Sequence, residues 1–164
     1  MEIKYFNSNF DKITQNKDTD QSITNLIEKL PSLNIVSDKN LLEETIKISN
    51  QFKEKKEKII VFGTGGSNLG ARALNNIISN NKIILEFYDN VDPINFEKNF
   101  QNINFELTGF LVISKSGTTP ETLSQFSCLY QKAIEANKVE DFFSNTLIIT
   151  EFKESPLFKI AKDN

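Results

Sequence analysis

The chain has 164 residues, 38% of them hydrophobic and 25% charged, enough to bury one core within one domain. Its net charge of −3 argues against a nucleic-acid partner, which needs a basic patch. It contains no histidine, which excludes a His base, a His–Ser pair or a His metal ligand within these residues. Of the 19 basic residues only Arg72 is arginine, so paired Arg forks cannot clamp an anion here. The single cysteine, Cys128, rules out an internal disulfide and fits a reducing compartment. It falls at helical spacing from Gln125 and Leu129 and reads as a packing residue. No cationic, apolar signal segment opens the chain, and no apolar run approaches the roughly 20 residues of a membrane span. The expectation is a soluble, cytoplasmic protein without a membrane partner.

Met1 to Asp20 is polar with a few aromatics and reads as an arm. From Asp20 to Leu30, Ile23, Leu26, Ile27 and Leu30 recur at helical spacing until Pro31 stops the run. A second helix is expected from about Ser37, its N-cap, to Lys55. Leu41, Leu42, Thr45, Ile46, Ile48, Ser49 and Phe52 form its inward stripe. Lys53-Glu54-Lys55-Lys56-Glu57-Lys58 then reads as a charged surface stretch.

From Ile59 the pattern changes to repeated strand, loop and helix. Ile59–Phe62, Lys82–Tyr88, Phe110–Ile113 and Thr146–Ile149 are the expected strands, apolar in the manner of a parallel sheet covered on both faces. Helices are expected over Ala71–Ile78, from Asp92-Pro93 to about Gln101, from Pro120 to about Ala136, and from Ser155-Pro156 onward. This alternation gives an α/β fold, a three-layer α-β-α arrangement around a doubly wound parallel sheet. Residues 1–56 then form the N-terminal arm and helices packing on the domain 57–164. Four strands leave strand four as an unprotected edge, and the natural polypeptide is expected to continue past Asn164.

Two loops carry the chemistry. Gly63-Thr64-Gly65-Gly66-Ser67-Asn68-Leu69-Gly70 and Ser114-Lys115-Ser116-Gly117-Thr118-Thr119-Pro120-Glu121-Thr122 each follow a strand and open a helix. Free backbone N–H groups and a positive helix end then converge on one point, where a phosphate can sit. A dinucleotide site fits poorly, because the third glycine of its fingerprint is Asn68. A P-loop fails because Ala71-Arg72 stands where Lys and Ser/Thr are needed. Three glycines at 63, 65 and 66 permit positive φ and close ligand approach, with Ser67 expected to cap the next helix and face the ligand. In the second loop Ser114, Ser116, Thr118 and Thr119 place four hydroxyls within six residues, and Thr119 is the expected N-cap before Pro120. Lys115 reads equally as a counter-charge or as a solvent-facing lysine.

Gly65-Gly66-Ser67-x-Leu69-Gly70 together with Ser114-Lys115-Ser116-Gly117-Thr118-Thr119-x-Glu121-Thr122 resembles the paired signatures of the glucose-6-phosphate isomerase family. The later Ser155-Pro156-Leu157 and Ile160-Ala161 fit the same pattern. The resemblance implies a flavodoxin-like sugar-isomerase (SIS) domain with a fifth strand beyond Asn164. It also implies an enzyme of glycolysis and gluconeogenesis that interconverts glucose 6-phosphate and fructose 6-phosphate without metal or organic cofactor. Carried over by position, Gly66, Ser67, Ser114, Lys115, Ser116, Gly117, Thr118, Thr119 and Thr122 would bind the sugar phosphate. The catalytic glutamate, histidine and arginine would lie downstream, leaving no catalytic residue in this chain. The full-length form would be a homodimer.

Many family members have Thr where Ser116 stands and Phe where Gly117 stands. Ser116 keeps the hydroxyl, whereas Gly117 is expected to loosen the loop and resembles the wider superfamily. Two alternatives stay open: a non-catalytic phosphosugar-sensing module, and an isomerase for another sugar phosphate. No helix-turn-helix with a basic face supports the first.

Overall fold

The computed structural model describes residues 17–78, 82–151 and 153–164. Most of the arm read over Met1–Asp20 lies outside them. The chain divides into two compact units, with the boundary between Lys47 and Ile48.

The first unit carries α1 (Lys17–Lys29), α2 (Pro31–Asn34), a 3₁₀ turn (Ile35–Ser37) and most of α3 (Lys39–Phe52). Pro31 ends α1 but also opens α2, because a proline at the first helical position gives up an N–H that has no partner there anyway. Asn34 Nδ2 ties α2 back to α1 by donating to Glu28 O at 3.0 Å and Leu30 O at 3.1 Å. The cap expected at Ser37 belongs to Asp38, whose Oδ1 accepts from Leu41 N at 3.0 Å; Ser37 is taken up in the preceding turn. Leu41, Leu42, Ile46 and Ile48, expected to face inward, stay exposed in α3. Helical periodicity identifies an apolar face without specifying what covers it.

In the second unit four strands form one parallel sheet: β1 (Lys58–Phe62), β2 (Ile84–Tyr88), β3 (Thr108–Ile113) and β4 (Thr146–Ile149). Their order is β2-β1-β3-β4, so β2 and β4 are the edges and β1 and β3 lie side by side in the middle. The connecting helices are α4 (Leu69–Ile77), α5 (Pro93–Asn99), α6 (Pro120–Glu135) and the short α7 (Val139–Ser144), with α8 (Pro156–Asp163) after β4. The fold class is therefore α/β, as the alternating pattern indicates.

The central strands sort their side chains by the two-residue period of the pleat. Ile60, Phe62, Phe110 and Val112 join Phe96 of α5, Phe100 just after it, Phe126, Leu129 and Ala133 of α6, Phe142 of α7 and Leu157 of α8 in one core. Ile59 and Val61, also buried, alternate with them. Gly109 is needed on β3 because the Phe52 ring comes within 3.0 Å of where a Cβ would stand. The helix α7 was not expected from the sequence, yet its Phe142 is fully buried among Phe105, Phe110, Phe126 and Phe143.

Cys128 corrects another expectation. It is exposed on α6 and lines a groove of about 550 Å³ with Val91, Pro93, Phe96 and Gln125. Helical spacing from Leu129 places it beside the buried stripe rather than within it. Among the described residues no helix is long and apolar enough to cross a membrane.

Candidate anion-binding site

Strands β1 and β3 pair in register up to Phe62 opposite Val112. The next residue, Gly63, is so close to its neighbours that a Cβ there would lie 3.2 Å from Ile113 O and 3.1 Å from Ser67 Cβ. The two loops therefore leave adjacent central strands at the same C-terminal end of the sheet. This is the point where strand order reverses, from which ligands of open α/β sheets are usually held.

In the first loop only Gly65 has a positive φ, +54; Gly63 serves close approach instead. Gly65–Ser67 form a 3₁₀ turn, with Ser67 N donating to Thr64 O at 3.1 Å. Ser67 does not cap α4 as expected. Asn68 occupies the cap position, also without a side-chain cap bond, and its Nδ2 donates to Gly63 O at 3.0 Å. Gly66 is exposed and Ser67 half-buried, and the amides of Thr64, Gly65 and Gly66 have no acceptor among the described residues.

The second loop is knitted by its own hydroxyls. Ser114 Oγ and Thr119 Oγ1 are 2.8 Å apart, and Gly117 N donates to Ser114 Oγ at 3.1 Å. Thr119 stands at the N-cap position, but this bond takes its hydroxyl away from the α6 amides. Ser116 Oγ accepts from Thr118 N at 3.2 Å and Thr118 Oγ1 at 3.0 Å, and both residues are exposed. The amides of Lys115, Ser116 and Thr119 have no acceptor among the described residues. Lys115 points to solvent, with its Nζ 3.5 Å from Glu151 Oε2. Thr122 is fully buried in the first turn of α6, and its Oγ1 has no partner among the described residues.

Gly117 reverses an expectation. Far from loosening the loop, it is buried at φ +65 and packed against Ser155 and Thr150.

Two residues escaped the sequence reading. Asn68 entered it only as a missing glycine, yet it is fully buried beside the first loop, with Oδ1 unpartnered among the described residues. Ser155 was read as a helix cap, which it is, its Oγ accepting from Phe158 N at 3.2 Å. Its contact with Gly117 had no sequence signal. Arg72, the lone arginine, pairs with Asp89 at 3.2 Å. No cluster of His, Cys, Asp or Glu suited to a metal ion occurs among the described residues.

A family model described as phosphoglucose isomerase matches residues 17–159, spanning both loops. The chain belongs to this family. Within the phosphoglucose isomerase family, the chain is 35% identical over 120 residues to a glucose-6-phosphate isomerase from Prochlorococcus marinus, covering 71% of this chain and 22% of that protein. It is 34% identical over 126 residues to one from Borreliella burgdorferi, covering 73% of this chain and 23% of that protein. The chain thus spans less than a quarter of the length of these relatives. A crystal structure of a glucose-6-phosphate isomerase from Chlamydia trachomatis superposes with a TM-score of 0.61 at 25% identity, over 70% of this chain and 23% of that one.

Proposed function

We propose that this chain supplies the phosphate-anchoring part of a glucose-6-phosphate isomerase, which interconverts glucose 6-phosphate and fructose 6-phosphate. The observation that carries the reading is the adjacency of Gly63 and Ile113, which brings both loops to one end of the sheet. A phosphate dianion needs several donors from more than one direction. The unpaired amides of Thr64, Gly65 and Gly66 supply one side, and those of Lys115, Ser116 and Thr119 the other. Ser67 and Ser116 add hydroxyls, and the N-terminus of α6 adds its partial positive charge. These donors are uncharged, which suits a product that must leave.

Moving a proton between adjacent sugar carbons also needs a base and a group to open the ring. With no histidine in the sequence, this part is proposed to bind without turning over. Calorimetry with glucose 6-phosphate, run beside an isomerase assay on the same sample, tests both halves. Saturable binding with negligible turnover is expected. Absence of binding rejects the anchor, and turnover matching that of a full-length relative rejects the division of labour.

A further inference from the structure

The loop of Ser114–Thr119 does not hold its shape alone. Behind it runs the segment joining β4 to α8, and the backbones meet repeatedly. Ser114 N donates to Ile149 O at 3.0 Å, Glu151 N to Lys115 O at 3.1 Å, and Leu157 N to Gly117 O at 3.3 Å. A Cβ on Gly117 would overlap Ser155 Oγ outright, and would lie 2.5 Å from Ser155 Cβ and 2.8 Å from Thr150 Oγ1. Ser155 is itself buried and fixed by its bond to Phe158 N.

These contacts decide where the loop amides point. A trans peptide unit is planar, so its N–H is directed opposite its C=O. Drawing Lys115 C=O toward Glu151 turns the Ser116 N–H the other way, and drawing Gly117 C=O toward Leu157 turns the Thr118 N–H toward Ser116 Oγ, which it meets at 3.2 Å and so holds in place.

We propose that Ser155, packed against Gly117, is a positioning residue that orients the second loop's donors toward the bound phosphate. This rests on the phosphate-anchoring role of the loop. Ser155 touches no ligand in this account; it acts through Gly117 and the two carbonyls. Two variants disturb the contact in opposite senses: Ser155→Ala loosens it and Gly117→Ala overfills it.

The test is titration of the isotope-labelled full chain with inorganic phosphate, read amide by amide. The expected result for each variant is at least fivefold weaker binding. Before any ligand is added, the Lys115–Thr119 amides should be displaced and the Gly65–Ser67 amides unmoved. Asp92→Ala, which removes a comparable cap from α5, should leave affinity unchanged and separates positioning from a general loss of stability. Wild-type binding with either variant within twofold of it overturns this inference alone. Failure of the wild type to bind phosphate overturns the anchoring role itself, and the inference with it.

Discussion

Ser116 shows how much a single hydroxyl can be asked to do. Its oxygen already accepts two hydrogen bonds from Thr118, which leaves its own proton free for an outside acceptor. Donation to a phosphate dianion is charge-assisted and worth about 1.5–3 kcal/mol. Ser116→Ala is therefore expected to weaken sugar-phosphate binding roughly ten- to 150-fold by titration calorimetry. Thr119→Ala should cost less, under about tenfold, because the Thr119 hydroxyl is spent on Ser114 within the loop. Sequence alone could not make that distinction. It showed a loop rich in hydroxyls, but hydroxyls close together bond one another, and only coordinates say which remain free. The same competition removed the expected cap at Thr119, whereas Asp92 and Ser155 do cap their helices. Gly117 was misread because its reason lies 38 residues away, in Ser155.

Among the elements, the strands were legible and the short helix α7 was not. Thr146–Ile149 is a run of strand-forming residues that coincides with β4. By contrast α7 has six residues, fewer than two turns, which is too short for any 3.6-residue period to show. Its contribution is nevertheless large, because Phe142 is wholly buried in the aromatic core. Phe142→Ala is expected to destabilise the domain by about 3–5 kcal/mol in denaturant unfolding. That is a large share of the roughly 5–15 kcal/mol typical of a whole domain. At α5, Asp92 Oδ1 accepts from Ile94 N at 3.0 Å and Asn95 N at 3.2 Å. Its replacement by alanine should cost about 1 kcal/mol by the same measurement. A phenylalanine loss no greater than the cap loss would mean that α7 is peripheral to the core.

For the whole molecule, strand order matters more than any side chain. Because β1 and β3 are neighbours, loops separated by some 50 residues of sequence open side by side. The absence of histidine gives this arrangement a pH signature. Amides and hydroxyls do not titrate near neutrality, so affinity should follow the ligand, whose second proton leaves at a pKa of about 6. Binding is expected to strengthen from pH 5 to 7 and then level. Continued change between pH 7 and 9 would point to a titrating protein group in the site. The most direct measurement is a titration of isotope-labelled chain with glucose 6-phosphate, following every backbone amide. The amides of Thr64, Gly65 and Gly66 and those of Lys115, Ser116 and Thr119 should shift together along one saturation curve. Shifts confined to one loop, or two curves with different midpoints, would show that the loops do not share a phosphate.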